Sequence, residues 1–315
     1  MASTPTLYRI APTTTAEQLA VEPKFVQSGE EPLASGYRHL VSLTLAGAAY
    51  LIAVGETGEA TAFAVTGAEP WLAPAASSLE LGGPWDTIEP FQLGGATYLL
   101  AYASTTGELA FIPLDEQLRS HTPYRFSRVR PPGPTAGFDV AQPIVVNGMV
   151  YVLCYSAATG NVNAYSLTAT AAAAAGSPPQ TPALLAAPIW VHQWARNWTR
   201  FAFFQLGGET FFLKTNTGKL NVNIDHVLDD PTQGTVEVGT YLQLDNALEL
   251  DLVRAFHLGG GDPYFIAYLG NGSTTLYRFH GDCQGWTAQA SLQTIADATQ
   301  IVPVDVAGET YALFY

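Results

Sequence analysis

The chain is short of positive charge. Its 315 residues include 13 lysines and arginines against 27 aspartates and glutamates, a formal net charge of −14. Nucleic acid and anionic membrane surfaces are held by lysine and arginine on phosphate, so this balance argues against both as partners. Cysteine is almost absent. Cys154 lies in the apolar run VYVLCYS and is expected as a buried thiol, Cys283 lies in the turn-like stretch HGDCQGW, and two such residues build no disulfide framework. Long hydrophobic runs are missing as well. None reaches membrane-spanning length, so no membrane insertion is expected. The first residues, MASTPTLYRIAPTTTAEQ, lack the basic-then-apolar order of a secretory signal. The expectation is a soluble protein, cytoplasmic or secreted by a non-classical route.

Motifs for common chemistries are also missing. The six histidines, His39, His121, His192, His226, His257 and His280, show no helix-face ligand spacing, and there is no HExxH and no cysteine pair. No nucleophile elbow or phosphate loop occurs. The acidic run DHVLDD (225–230) lacks the alternating Asp/Asn and the glycine of a calcium loop and reads as a solvated turn. Neither a metal nor a cofactor is therefore expected.

What the chain has is a repeat. Hydrophobic residues make up 48% and charged residues 13%, enough for a large core. The clearest unit is WDTIEPFQLGGATYLLAYASTTGELAFIPL (85–114). It reads as three strands, Thr87 to Leu93, Thr97 to Tyr102 and Glu108 to Leu114, turned at Gly94-Gly95 and at Thr106-Gly107. A turn glycine followed three residues later by an aromatic recurs six times: Gly47 and Tyr50, Gly95 and Tyr98, Gly148 and Tyr151, Gly208 and Phe211, Gly261 and Tyr264, Gly308 and Tyr311. The aromatic spacings are 48, 53, 60, 53 and 47 residues, the period of four-stranded propeller blades. The second turn recurs as Thr57-Gly58, Thr106-Gly107, Thr159-Gly160, Thr217-Gly218 and Asn271-Gly272.

The sixth unit stops at its second strand, ending at Tyr315, and its third strand is found at the other end of the chain. Thr6-Leu7-Tyr8-Arg9-Ile10 matches Thr275-Leu276-Tyr277-Arg278-Phe279 of the fifth unit. The N-terminal strand is therefore expected to complete the last blade and close the ring, which removes free sheet edges. Residues 1–315 then form one domain. The fourth strands are weakly marked, with Trp71 and Trp286 placed to fall in two of them. The Pro- and Ala-rich excursion 168–188 and the stretch RPPGPTAG (130–137) read as surface loops.

Six units of the form W-x-x-I-x-P-F-x-L-G-G-x-x-Y-L-L-A-Y resemble all-β, six-bladed β-propellers. Fungal and bacterial propeller lectins share that architecture, and so do some cofactor-free fungal cyclases. The resemblance implies lectin-like glycan recognition on one side and a cofactor-free enzyme on the other.

Aligned inner strands give columns. Two are apolar throughout: Leu40, Ile88, Ala141, Phe201, Val253 and Ile301, then Leu43, Phe91, Ile144, Phe204, Phe256 and Val304. Two mixed columns share one strand parity: His39, Thr87, Val140, Arg200, Leu252 and Gln300, then Val41, Glu89, Gln142, Ala202, Arg254 and Val302. They form either a structural network, with Glu89 answering Arg254 or Arg200, or one asymmetric ligand pocket near the axis. A further column, Tyr37, Trp85, Phe138, Trp198, Leu250 and Ala298, precedes the strands and is followed by Arg38, Asp86, Asp139, Thr199, Asp251 and Thr299. An aromatic beside a carboxylate or arginine suits a sugar, and equally the rings could wedge adjacent blades. Trp194, Arg196, Trp198 and Arg200 in WARNWTR are the densest such cluster and read as a binding rim.

The candidate ligand-binding residues are Arg38, His39, Trp85, Asp86, Glu89, Gln142, Trp194, Trp198, Arg200, Arg254 and Gln300, facing a glycan or another small molecule. Three function classes stay open: a lectin-like binding module, a cofactor-free cyclase or pericyclase with one pocket at the channel mouth, and a protein-interaction propeller.

Overall fold

A computed structural model describes residues 4–12, 19–25, 33–127, 129–131, 137–171, 180–216, 220–230, 235–244, 248–258 and 261–315. The chain opens with β1 (Thr6–Pro12) and β2 (Leu19–Phe25). Blade one follows as β3 (His39–Leu45), β4 (Ala48–Val54), β5 (Glu59–Val65) and β6 (Leu72–Glu80). Blade two is β7 (Thr87–Leu93), β8 (Ala96–Ala103), β9 (Glu108–Leu114) and β10 (Tyr124–Phe126). Blade three is β11 (Val140–Val146), β12 (Met149–Tyr155), β13 (Asn161–Ala171) and β14 (Gln180–Leu184), with β15 (Trp190–Gln193) also paired to β13. Blade four is β16 (Arg200–Leu206), β17 (Glu209–Asn216), β18 (Asn221–Asp230) and β19 (Thr235–Leu244). Blade five is β20 (Leu252–His257), β21 (Pro263–Tyr268), β22 (Ser273–Phe279) and β23 (Trp286–Gln293). Blade six begins with β24 (Ile301–Val306) and β25 (Glu309–Phe314). All six sheets are antiparallel, and they form a six-bladed β-propeller.

Blade six is completed from the other end of the chain in the order β24, β25, β1, β2. Thr6 lies opposite Phe314 and Ile10 opposite Thr310, so β1 takes the third-strand place that the match to Thr275–Phe279 predicts. The outermost strand, β2, is also N-terminal, which the sequence does not announce. Two readings are corrected. The excursion 168–188 is not all loop: β13 runs through Ala171 and β14 returns from Gln180, because the Ala/Thr stretch extends the third strand, while 172–179 lie outside the described residues. The acidic run 225–230 is not a turn but the second half of β18. The Thr217-Gly218 turn and most of 130–137 also fall outside the described residues.

The second-turn glycines have a steric reason. Gly58, Gly107, Gly160 and Gly272 all have positive φ, and a Cβ on Gly160 would meet the Trp194 carbonyl oxygen at 2.3 Å. Core packing lies between blades. One cluster joins Val41, Leu43 and Ile52 of blade one to Ile88, Leu99 and Ile112 of blade two, and five others repeat this around the ring.

Four junctions carry a tyrosine clamp. Tyr102 donates its hydroxyl proton to the Val129 carbonyl (2.7 Å) and accepts from the Phe138 N–H (2.9 Å), tying the linker to the start of blade three. Tyr155 does the same with the Ala195 carbonyl and the Trp198 N–H, Tyr268 with Ile295 and Ala298, and Tyr315 with Ala34 and Tyr37. Val54 and Thr215 hold the equivalent place at the other two junctions, so among the described residues these have no such clamp. Because Tyr102 and Phe138 are fully buried, Tyr102→Phe leaves an N–H and a carbonyl without partners. It should cost about 1–3 kcal/mol, read as a lowered urea midpoint at unchanged slope. An unchanged midpoint would show that the clamp is energetically idle.

Candidate functional site

Inner strands β3, β7, β11, β16, β20 and β24 surround the axis, and one end of the channel opens into a cavity of about 520 Å³. Pleat and register bring both mixed columns there: His39, Glu89, Gln142, Arg200, Arg254 and Gln300, one from each blade, all line it. A smaller cavity of about 340 Å³ lies where β3, β20 and β24 end, beside Thr44, His257 and Asp305. A third, of about 390 Å³, sits at the blade-four and blade-five margin beside Leu206, Asp262 and Arg278.

Most polar channel residues are engaged with a neighbouring blade. His39 Nε2 is 2.7 Å from the Trp85 carbonyl oxygen. A carbonyl only accepts, so Nε2 carries the proton and Nδ1 keeps its lone pair. Burial lowers the His39 pKa and the Arg38 charge adds to this, so the ring is neutral near neutral pH. Glu89 bonds Gln142. Gln300 Oε1 accepts the Leu40 N–H at 2.7 Å. Arg200 Nε donates to the Asp251 carbonyl, and Arg200 Nη1 donates to the Thr199 carbonyl at 3.0 Å. Arg254 differs. Among the described residues its side chain hydrogen-bonds to the carbonyl of Val253, the preceding residue, at 3.1 Å, and it is exposed and lines the cavity.

Among the described residues no ion pair joins Glu89 to either arginine. Burial raises the Glu89 pKa, and the Arg254 charge and the Gln142 hydrogen bond offset it only in part. A carboxyl raised in the folded state favours folding below its unfolded value of 4.5, and that advantage fades as pH rises through the folded value. Glu89→Gln should therefore match the wild-type melting temperature near pH 4 and exceed it near pH 8. Equal melting at both pH values would mean that the carboxylate is solvated at no cost. Arg200 is pushed the other way: burial lowers its pKa, Arg254 adds to this, and Asp251 opposes it.

The loop-end column divides. Arg38 and Asp86 form an ion pair at the rim. Burial alone would raise the Asp86 carboxyl, but hydrogen bonds from the Ser104 hydroxyl (2.7 Å) and N–H (2.8 Å), with Arg38, hold it below the usual range. Asp139 and Asp251 likewise accept the N–H groups of Ala157 and Gly270, both at 2.7 Å, so this column closes loops. The rings sit inside. Trp85 is 3% exposed and donates Nε1–H to the Leu81 carbonyl, and Trp198 is 7% exposed. Trp194 and Trp198 turn away from the channel and pack around Lys214, whose Nζ lies 3.8 Å and 5.0 Å from their ring centroids. Of Trp194, Arg196, Trp198 and Arg200, Arg200 alone lines the axial cavity.

Sequence reasoning missed Lys214 and its partner. Lys214 Nζ is 2.6 Å from Asp225 Oδ2, with side chains 3% and 1% exposed. Burial drives the lysine pKa down and the aspartate pKa up, and each charge partly restores the other. The alternation Asn221-Val222-Asn223-Ile224-Asp225 after the second turn, in the place of Glu108–Leu114 of blade two, was the available signal.

No protein-family model matches the sequence, and no curated protein matches it. Solved structures do. A candidate 6-phosphogluconolactonase from Bacteroides fragilis aligns at 12% identity with a TM-score of 0.51, covering 96% of this chain and 87% of its own. BBS1N in complex with ARL6DN aligns at 10% identity with a TM-score of 0.51, covering 89% and 76%. The SapL1 lectin in complex with alpha methyl fucoside aligns at 10% identity with a TM-score of 0.48, covering 87% of each. The likeness is one of fold, and that fold serves proteins with different roles. Among the described residues no helix is long and apolar enough to cross a membrane.

Proposed function

We propose that this propeller binds one small polar ligand at the mouth of its central channel. The observation that carries the reading is convergence: each of the six blades sends a polar side chain, of four kinds in all, to one cavity of about 520 Å³, a volume suited to a small molecule. Lectin-like recognition then takes a single-site form, with the saccharide held by amides and charges at the axis. Repeated stacking on the loop-end column is disfavoured, because Trp85, Phe138 and Trp198 are buried between blades.

The test is a thermal-shift and calorimetric screen of neutral and acidic saccharides. One ligand per chain is expected, with binding weakened by Gln142→Ala. A ligand at 100 times its Kd should stabilise the fold by about 2.7 kcal/mol. Several equivalent sites per chain, or binding indifferent to Gln142→Ala, would sink the reading.

The cofactor-free enzyme is a second reading, favoured by one pair of groups. His39 offers a bare Nδ1, and Glu89 is biased toward its protonated form in the same cavity, the pairing that acid–base chemistry requires. Turnover lost in His39→Gln with binding kept would support it.

A further inference from the structure

We propose that the ligand of the axial cavity carries an oxyanion, a carboxylate or a phosphate, which docks on Arg254 and Arg200 while its hydroxyl groups meet Gln142, Glu89 and Gln300. This rests on the axial site proposed above and names the chemistry that the site selects. The starting point is an imbalance. Of the six side chains His39, Glu89, Gln142, Arg200, Arg254 and Gln300, five make a hydrogen bond to an adjacent blade, which gives them a place in the folded ring. Arg254 makes none among the described residues. Its charge is felt by the Glu89 carboxyl across the cavity, but no carboxylate among the described residues lies within ion-pair distance of it, so its fork of donors is left for something else.

Its setting sharpens the choice. Arg200 stands on the inner strand of the neighbouring blade and lines the same cavity, close enough for the Arg254 charge to disfavour that of Arg200. The chain as a whole is strongly acidic, so two adjacent cations at the axis are not an accident of composition. The carboxylates of the mouth are otherwise occupied: Asp86 by Arg38 and Ser104, and Asp139 by the Ala157 N–H. Glu89 faces the same cavity from blade two and leans on Gln142. The cavity thus has a cationic wall at blades four and five and an amide-and-carboxyl wall at blades two, three and six. A bidentate anion fits the first wall and hydroxyl groups fit the second.

Calorimetry with sodium glucuronate, glucose 6-phosphate, inorganic phosphate and glucose separates the sources, on wild type, Arg254→Gln, Gln142→Ala and Arg278→Gln. Arg278 pairs with Asp262 beside the outer cavity and serves as the charge control. The expected result is one site per chain for glucuronate or glucose 6-phosphate. Arg254→Gln should weaken it roughly tenfold to a hundredfold, as for a lost charged hydrogen bond, with a cooperative thermal transition retained, and Arg278→Gln should leave it unchanged. Preference for glucose 6-phosphate, with inorganic phosphate bound more weakly, assigns the anion as phosphate; preference for glucuronate assigns it as carboxylate. Glucose binding as tightly as either, weakened by Gln142→Ala but not by Arg254→Gln, overturns the oxyanion and leaves the axial site standing. Oxyanion binding lost in Arg278→Gln but kept in Arg254→Gln overturns both. No binding of any oxyanion at millimolar concentration overturns the proposal.

Discussion

Removing residues 1–12 should leave no soluble, cooperatively folding protein. The deletion takes out β1, the strand between β25 and β2. Leu7, Tyr8 and Ile10 are at most 6% exposed, and burying a large apolar side chain contributes about 1.5–3 kcal/mol. Three such residues approach the whole net stability of a domain, about 5–15 kcal/mol. β25 would also become an open edge, a template for association with other chains. Soluble yield and the thermal transition check this. A synthetic peptide of residues 1–25 added in trans should restore a transition, because it supplies the two missing strands in their native order. A truncated protein melting at the wild-type temperature would refute closure by β1.

Lys214→Met should be the most damaging point substitution in the chain, at about 3–5 kcal/mol, because it strands a buried carboxylate. Asp225 is 1% exposed, so water cannot take the place of the ammonium. The loss should depend on pH. Without the lysine, burial holds the Asp225 pKa far above its ordinary value, so the variant is penalised little below about pH 4 and increasingly as pH rises. Replacing both partners, Lys214→Met with Asp225→Leu, should recover most of the loss. Urea midpoints at pH 4 and pH 8 for the two variants decide the matter. A pH-independent loss in the single variant would mean that packing of the stem against Trp194 and Phe212, not charge, dominates.

The ring was legible because its turns are chemically marked. Positive φ at Gly58, Gly107, Gly160 and Gly272 leaves glycine in the sequence, and the aromatic three residues after each first turn, buried in every blade but the first, leaves a second mark in phase. Thr6–Ile10 could be placed because it copies β22. β2 could not, since outer strands face solvent on one side and carry no fixed residue. Asp225 was misread because its neighbours His226, Asp229 and Asp230 resemble a surface run, and its partner lies on the preceding strand. The axial residues were found because parity forces alternate positions of inner strands onto one surface. What each one bonds was hidden, since the partners of His39 and Arg200 are backbone carbonyls, which any residue supplies.

The tyrosine clamps sit at four of the six junctions, and the two junctions without one lie opposite each other, between blades one and two and between blades four and five. The ring is therefore two three-blade arcs meeting along a diameter. Its margins are held by Arg38 on Asp86 and His39 on Trp85 at one side, and by Arg200 on Asp251 at the other. His39, Asp86 and Arg200 thus face the cavity and bridge the two unclamped seams at once, so a substitution made there to probe the mouth also alters a seam of the ring.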